Sequence, residues 1–246
     1  MQTVEIIGMI YKSPKYLDFM INKVISNSWS DNYNVSLRII ANDPSQNLSD
    51  YIKSHQIPYI DTYIDPHPNE YYLNRVYRAW NYGGNTSKAD IIVFINSDMA
   101  FSQGWLDNLL KHLDDKTIPC SRLVESGKMP SGQHAISKNF GRHPDQYDDA
   151  GFNSFAKKIS EDSVVKLGGL YMPCAFYTKD FKKSLGYPEG NLYNEGVGKS
   201  NSKFFMSGDD YFFHENKTMK TKNHITVFDS IVYHMQEGEM DEPSSL

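Results

Sequence analysis

One apolar stretch in the middle of the chain, followed by three small polar residues, constrains the fold more than any other feature. Five consecutive apolar residues, Ile91 to Ile95, stop at Asn96-Ser97-Asp98. A β-branched run of this kind is typical of a strand that is buried on both faces. Open α/β sheets place their ligand chemistry at the carboxyl ends of such strands, where a carboxylate also suits a hard divalent cation that bridges two phosphates. A polar turn in which Asp98 caps the next helix is the alternative at this point.

The first half of the chain alternates strand patterns with helix patterns around this stretch. Pro14 after Ser13 marks a helix start, and we expect Gly83-Gly84 to end a later helix. The predicted strands are Val4–Ile10, Val35–Ala41, Ile57–Ile64 and Ile91–Ile95, and the predicted helices start at Ser13-Pro14, cover Asn47–His55 and Asn69–Tyr82, and start again at Ser102 or Gln103. Strands interleaved with helices in this way predict a parallel, doubly wound α/β half.

The second half has a less regular pattern. The predicted elements are strands at Ile118–Val124, Leu170–Tyr177 and Ile225–His234, and helices at Asp148–Ser160, Thr178–Leu185 and from Gly208. Residues 125 to 146 have no clear period, and a long irregular segment in a compact domain usually carries a functional loop. Arg142 or His143 in this segment is a candidate contact for a diphosphate or an acceptor when the loop closes, and a solvated basic turn is the alternative.

Composition excludes several functional classes. The net charge of −5 argues against a non-specific nucleic-acid binder. No apolar run approaches the roughly 18 residues that a membrane span needs. Cys120 and Cys174 form neither a disulfide framework nor a CxxC site, so we expect two buried free thiols in a reducing cytoplasm. The acidic tail, Glu237 to Leu246, is expected to fray.

Polar clusters at strand ends or in the loops that follow occur four times in this chain. They are Asp43, Asn96 to Asp98, Asp209-Asp210 and His234. Carboxylate and imidazole ligands together suit Mn²⁺ at least as well as Mg²⁺. For His234 and for Asp43, local hydrogen bonding at a strand end or an Asx turn is the alternative use.

The order of these clusters resembles that of the GT-A glycosyltransferases, and within them the family 2-like inverting enzymes. The resemblance covers roughly residues 4 to 236. Six motifs carry it: Ile7 to Leu17, Asn42-Asp43-Pro44-Ser45, Ala79-Trp80-Asn81-Tyr82-Gly83, Asn96-Ser97-Asp98 in the place of the DxD motif, Gly208-Asp209-Asp210 in the place of the Glu-Asp pair, and Val232-Tyr233-His234 with the late metal-binding histidine.

The resemblance implies a fold and a set of site residues. We expect one GT-A domain over residues 1–236, with a Rossmann-like nucleotide-sugar-binding half to residue 113 and an acceptor-binding half from residue 114. Asp98 and His234 are the predicted metal ligands, and Mn²⁺ or Mg²⁺ is the predicted cofactor. The predicted nucleotide-side residues are Ile10, Tyr11, Asp43, Asn81, Asn96, Ser97 and, in the irregular loop, Arg142.

The paired aspartates have distinct predicted roles. Inversion requires one carboxylate to take the proton from the attacking acceptor hydroxyl, and we assign Asp210 as this base. Asp209 would orient the acceptor or the base, because adjacent residues on a helix point about 100° apart. Capping and the helix dipole alone can also explain the pair.

The resulting hypothesis is a metal-dependent inverting glycosyltransferase with a nucleotide-diphospho-sugar donor, UDP-sugar favoured, and a glycan or other hydroxyl acceptor. Asn96 departs from the DxD motif, Pro44 replaces a small flexible residue, and Arg75 lies where the family pattern has glycine. Asn96 therefore keeps open a catalytically inactive nucleotide-sugar or glycan binding module. A nucleotidyltransferase is disfavoured, because Gly8 to Lys12 is too apolar for a phosphate-cradling loop.

Aromatic residues are the predicted sugar-stacking groups. Tyr11 near the base, and Trp105, Tyr171 or Tyr193 near the acceptor, are the candidates for this contact. For each of them, ordinary core packing is the favoured alternative.

Overall fold

The computed structural model describes residues 1–65, 72–128, 132–169, 172–188 and 208–236. Its strands are β1 Thr3–Ile10, β2 Asn34–Asn42, β3 Ile60–Tyr63, β4 Ile91–Ile95, β5 Met99–Phe101, β6 Thr117–Glu125, β7 Ile136–Ser137, β8 Val165–Leu167, β9 Cys174–Tyr177 and β10 Asn223–His234. Its helices are α1 Pro14–Asn27, α2 Gln46–His55, α3 Tyr72–Thr86, α4 Trp105–Leu110, α5 Asp149–Ile159, α6 Thr178–Ser184 and the short α7 Gly208–Asp210. Turns of 3-10 helix cover Pro144–Gln146 and Met219–Thr221, and a π-helical turn covers Tyr211–Glu215.

The described strands form one mixed sheet in the order β3-β2-β1-β4-β9-β6-β10-β5, with β7 paired to β6 and β8 paired to β10. The strands β3, β2, β1 and β4 are parallel, as predicted for a doubly wound half. Strand β9 runs antiparallel to both β4 and β6. Because β6 and β10 are parallel to each other, both run in the same direction as β4.

The buried apolar side chains explain why these elements form one sheet. All five residues of β4 are buried, as the uninterrupted apolar run predicts. Helix α3 packs on β1 and β2, α1 packs on β1 and β5, and α4 packs on β6 and β10, so helices cover the sheet. Cys120 and Cys174 are direct neighbours on β6 and β9, and both are buried free thiols, as predicted.

The predicted end of α3 at Gly83-Gly84 is wrong, because the helix continues to Thr86. The glycines permit close packing instead of ending the helix. A Cβ atom on Gly83 would lie 2.8 Å from Ile7 Cγ2, and one on Gly84 would lie 2.4 Å from Phe181 Cε1. Both contacts are too short for any larger residue, so Gly83 and Gly84 let α3 approach β1 and α6.

Several other predicted boundaries change. Strand β3 is shorter than the predicted range, and β9 starts only at Cys174. The short strands β5, β7 and β8 were not predicted, since two or three residues carry little periodic pattern. The predicted helix start at Asn69 and the tail from Glu237 lie outside the described residues. In the part of the chain that the structure describes, no helix has the length and apolar composition needed to cross a bilayer.

Candidate active site

The carboxyl ends of five parallel strands meet at one edge of the sheet. These strands are β1, β2, β4, β6 and β10, and they end at Ile10, Asn42, Ile95, Glu125 and His234. The predicted polar clusters at Asp43, at Asn96 to Asp98 and at His234 therefore gather at one edge, which is where open α/β sheets bind ligands.

Asp98 and His234 are brought into direct contact at this edge. The distance between Asp98 Oδ2 and His234 Nε2 is 3.4 Å. Strand β5, which follows Asp98, pairs antiparallel with the end of β10, and the Met235 amide donates to the Asp98 carbonyl at 3.1 Å. The main chain therefore holds both predicted metal ligands side by side, although they are far apart in sequence.

Glu125 is a member of this site that the sequence analysis missed. It lies opposite His234 in the pairing of β6 with β10, and its Oε1 is 3.6 Å from His234 Nδ1. Its carboxylate accepts hydrogen bonds from Gln236 Nε2 at 3.2 Å and from the Gly132 amide at 3.2 Å. A polar residue at the end of an apolar strand was the available signal, the same signal that identified Asp98.

The two carboxylates favour a positive charge at the imidazole. Burial lowers the pKa of His234, but Asp98 and then Glu125 outweigh burial and raise that pKa to about 10. Asp98 is 6% exposed and Glu125 is 5% exposed, so solvent screens these charges little. The two carboxylates leave this site with a net negative charge that attracts a cation, and a metal ion that binds Nε2 of His234 would have to displace its proton.

The residues present fit a metal ion only when other oxygen atoms complete its coordination. Within the described ranges, no group of three or more His, Cys, Asp or Glu side chains is arranged to hold a metal. Asp98 and His234 would supply one oxygen and one nitrogen ligand, and a mixed set of this kind suits Mn²⁺. Glu125 lies at the other ring nitrogen, which is the usual place of a carboxylate that orients a ligating histidine.

Three of the predicted nucleotide-side residues, Ile10, Tyr11 and Asp43, lie at this edge, where β1 and β2 end. Ile10 is buried at the end of β1, and the carbonyl of Tyr11 accepts a hydrogen bond from the Ser45 amide at 2.8 Å. Asp43 has a φ of 45°, in the left-handed region that Asp tolerates better than most residues. Its Oδ2 is 3.3 Å from Arg75 Nη1, so the arginine that departs from the family pattern pairs with the predicted nucleotide contact.

Asn81 has a structural contact that the sequence did not indicate. Its Nδ2 donates to the Tyr187 carbonyl at 2.9 Å, and its Oδ1 accepts from the Tyr187 amide at 2.7 Å. These two hydrogen bonds join α3 to the segment after α6. The nucleotide contact of Asn81 stays a prediction, as do those of Asn96, which is half-buried, and Ser97, which is buried.

Asp209 and Asp210 have different surroundings. The Tyr77 hydroxyl donates to Asp209 Oδ2 at 3.1 Å, whereas Oδ1 of Asp209 is buried and has no hydrogen-bond partner among the described residues. Burial raises the pKa of Asp209 to about 7, the Tyr77 hydrogen bond lowers it, and the charge of Asp210 raises it. Asp210 is exposed, whereas Asp209 is half-buried, so Asp210 is the more accessible carboxylate of the pair.

The segment around Arg142 makes hydrogen bonds to the rest of the fold that its irregular sequence does not predict. The preceding residue, Gly141, is hydrogen-bonded to the Tyr233 hydroxyl, and the following residue, His143, to the Tyr16 hydroxyl. The side chain of Arg142 is exposed. The segment is therefore held against β10 and α1, rather than free until a loop closes.

The aromatic candidates have different outcomes. Trp105 is fully buried and its indole Nε1 donates to Ser28 Oγ at 2.9 Å, so the favoured alternative, core packing, is confirmed for this residue. It packs in the core because it starts a short amphipathic helix against β10. Tyr171 and Tyr193 lie outside the described residues, and Tyr11 is half-buried.

A family profile and two solved structures relate this chain to known proteins. The sequence profile described as Glycosyl transferase family 2 matches residues 6–164. No curated protein sequence matches the chain. Residues 1–349 of TarS from S. aureus have a similar structure, with a TM-score of 0.58 and 11% identity over 97% of this chain and 62% of that chain. GalNAc-T7, solved with UDP, GalNAc and Mn²⁺, gives a TM-score of 0.54 and 12% identity over 95% of this chain and 44% of that chain.

These structural matches establish the fold of the chain. They do not identify its substrates. The chain spans 62% and 44% of the length of the two solved structures. At identities this low, structural similarity shows the fold alone. The predicted α/β fold of the GT-A type, with a mixed sheet flanked by helices, is confirmed.

Proposed function

The chain belongs to glycosyl transferase family 2, and from that membership we propose that it transfers a sugar from a UDP-sugar to a hydroxyl acceptor, with inversion at the anomeric carbon. The observation that carries the proposal is the contact between Asp98 and His234 at the carboxyl edge of the parallel strands, 3.4 Å between Oδ2 and Nε2. The ends of separate strands supply these residues, as expected for a site that holds a nucleotide diphosphate.

We assign the donor to the half of the sheet up to residue 113 and the acceptor to the half from residue 114 to residue 236. On the donor side, Asp43 would accept the imide N–H of uracil while Arg75 orients its carboxylate from 3.3 Å. Ile10, Tyr11, Asn81, Asn96 and Ser97 are the remaining proposed contacts to the nucleotide and sugar. The solved GalNAc-T7 structure contains UDP, which agrees with this donor class.

Asp98 and His234 are the proposed ligands of a divalent cation, Mn²⁺ favoured. A cation bound there would neutralise the charge that develops on the departing diphosphate. The Glu125 carboxylate, 3.6 Å from Nδ1 of His234, would attract the Nδ1 side of the ring by its charge and leave Nε2 directed towards Asp98. The exposed guanidinium of Arg142 would add a second positive charge to the diphosphate.

On the acceptor side, Asp210 is the proposed base. It would take the proton from the acceptor hydroxyl as that oxygen attacks the anomeric carbon on the face opposite the diphosphate. Asp209, held by the Tyr77 hydroxyl at 3.1 Å, would orient the acceptor or the base Asp210. The expected acceptor is a carbohydrate or glycosylated molecule. We propose a cytoplasmic setting, because the two free cysteines suit a reducing compartment.

The experiment that tests this proposal is a binding panel of UDP-, GDP-, dTDP- and CMP-sugars, each with and without Mn²⁺. We expect a thermal shift with a UDP-sugar that needs Mn²⁺ and is lost in Asp98→Ala, and we expect slow hydrolysis of the bound donor. No shift with any nucleotide would contradict the proposal.

A binding module without catalysis is the second candidate, and Asn96 favours it because an amide replaces the first DxD carboxylate. It predicts saturable donor binding with neither hydrolysis nor transfer to a panel of glycan acceptors. Restoring the carboxylate with Asn96→Asp separates the two functions. A gain of metal affinity with no gain of turnover would support the binding module.

A further inference from the structure

The residues before and after Arg142 are each hydrogen-bonded to a buried tyrosine. Gly141, before it, is bonded to Tyr233, and His143, after it, is bonded to Tyr16. Both tyrosines are fully buried, whereas Arg142 is exposed. The residues on either side of Arg142 are therefore attached to β10 and α1, Gly141 through its carbonyl and His143 through its imidazole ring.

The Tyr233 hydroxyl is the centre of the first attachment. It donates to the Gly141 carbonyl at 2.6 Å and accepts from the Phe140 amide at 3.0 Å. Gly141 has a φ of 114°, and a Cβ atom there would lie 2.4 Å from the Gln146 carbonyl oxygen. The chain therefore makes a tight turn that glycine alone permits, immediately before Arg142.

The second attachment leads back to the proposed nucleotide site. The Tyr16 hydroxyl lies 3.1 Å from His143 Nδ1, and Tyr16 is in the first turn of α1. Lys15, its neighbour, forms an ion pair with Asp145 at 3.5 Å. Helix α1 begins directly after the loop at Tyr11, so the segment that carries Arg142 is connected to the same edge of the sheet.

The place of Tyr233 on β10 indicates where Arg142 lies. Tyr233 is the last residue but one of β10, and its hydroxyl holds Gly141, which directly precedes Arg142. His234, the next residue along β10, contacts Asp98. Arg142 therefore follows a residue that is held at the end of β10, at the edge of the sheet where the diphosphate is proposed to bind.

We propose that Tyr233 and Tyr16 are positioning residues that hold Arg142 in place to bind the diphosphate of the donor. The inference rests on the proposed function, because it needs a nucleotide diphosphate at this edge. A flexible arginine loses conformational freedom when it binds an anion, and a backbone that is already held lowers this cost. Tyr233 acts through the main chain of Gly141, and Tyr16 acts through the imidazole ring of His143.

Binding of UDP and of uridine, measured by calorimetry with saturating Mn²⁺, tests the proposal. We expect Arg142→Ala to weaken UDP binding about 30-fold, because charge-assisted hydrogen bonds are lost. Tyr233→Phe removes one hydroxyl and is expected to weaken UDP binding about fivefold, and Tyr16→Phe about threefold. Uridine lacks the diphosphate, so its affinity should change by less than about twofold in all three variants.

Tyr147→Phe is the matched control for these variants. The Tyr147 ring stacks on Tyr233 with centroids 5.7 Å apart, and its buried hydroxyl has no hydrogen-bond partner among the described residues. It should leave the affinity for UDP unchanged. Circular dichroism and thermal midpoints of all variants show whether a loss of affinity comes from unfolding.

The double variant Arg142→Ala with Tyr233→Phe distinguishes positioning from a separate effect. We expect it to bind UDP as weakly as Arg142→Ala alone, since Tyr233 acts through Arg142. A further fivefold loss in the double variant, or equal losses for UDP and uridine, would overturn the inference. If the wild-type chain binds no UDP, the proposed function fails. If Arg142→Ala weakens UDP binding and Tyr233→Phe does not, only the inference fails.

Discussion

The two sides of the sheet are built by different rules. Strands β3, β2, β1 and β4 are all parallel, and β1 pairs with β2 without interruption from Thr3 to Ile10. On the other side, β9 runs antiparallel between β4 and β6, and the pairing of β10 with β6 is interrupted between Val227 and Ile231. The regular side follows from local periodicity, whereas the irregular side depends on contacts between distant segments.

The functional groups differ between these sides in the same way. On the parallel side, Asp43 and Asn96 follow strand ends, so the topology alone brings them to one edge. On the irregular side, particular hydrogen bonds hold the candidate groups: Tyr77 to Asp209, Gln236 to Glu125, and Tyr233 to Gly141. The comparison predicts that single-atom changes affect function more on the irregular side, and changes of packing affect stability more on the parallel side.

The largest expected effect is at the proposed base. Asp210→Asn removes the carboxylate that takes the acceptor proton, and kcat should fall about 1,000-fold. Donor affinity should stay the same, because Asp210 contacts the acceptor. Asp209→Asn is the matched control on the neighbouring residue, with a much smaller loss of kcat. A larger loss for Asp209→Asn than for Asp210→Asn would exchange the two assignments.

The next effect is on the parallel side and concerns stability. Gly84→Ala places a Cβ atom 2.4 Å from Phe181 Cε1, and this overpacking should lower the free energy of unfolding by about 2 to 3 kcal/mol. Urea unfolding followed by circular dichroism measures the change. Adding Phe181→Leu to Gly84→Ala makes room for the new methyl group and should recover part of the loss. A fully stable Gly84→Ala protein would show that α3 can move away from α6.

A smaller effect is expected at the residue that the sequence analysis missed. Glu125→Ala should weaken Mn²⁺ binding in the presence of UDP about 10- to 30-fold, because His234 loses the carboxylate at its Nδ1 side. Calorimetric titration with Mn²⁺ gives this affinity for the folded fraction. Glu161→Ala is the control, since Glu161 is a surface carboxylate that pairs with Arg122. Equal Mn²⁺ affinity in the wild type and Glu125→Ala would remove Glu125 from the site.

The smallest predicted effect is a pH dependence on the irregular side. Burial raises the pKa of Asp209 to about 7, so between about pH 4 and about pH 7 the folded state holds a proton that the unfolded state has lost. The free energy of unfolding should therefore fall as pH rises through this window, by on the order of 1 kcal/mol because Asp209 is partly exposed to solvent, and then stay level.

Asp209→Asn should remove this part of the pH dependence, since the amide does not titrate. Urea unfolding of both proteins at several pH values measures the difference. A wild-type curve parallel to that of Asp209→Asn over the whole range would mean that Asp209 is not desolvated as described.

The boundary errors show which physical information a local pattern lacks. Gly83-Gly84 has the form of a helix end, yet the space left by Ile7 and Phe181 requires glycines inside α3. For Trp105 the sequence favours core packing and leaves sugar stacking open, and the hydrogen bond from its indole to Ser28 in the core decides for packing. In each case the deciding neighbour is distant in sequence, and periodicity carries no record of it.

The sequence by itself determined the alternation of strands and helices in the first half of the chain. It also determined the buried run that ends before Asp98 and the family to which the chain belongs. Apolar periodicity and the positions of strand ends suffice for these, because they are local properties of the chain. The tertiary structure alone decided that Glu125 lies opposite His234 and that two buried tyrosines hold the residues beside Arg142. These depend on strand register and on side-chain hydrogen bonds across more than 90 residues, as between Tyr233 and Gly141, and such contacts form only when the sheet is assembled.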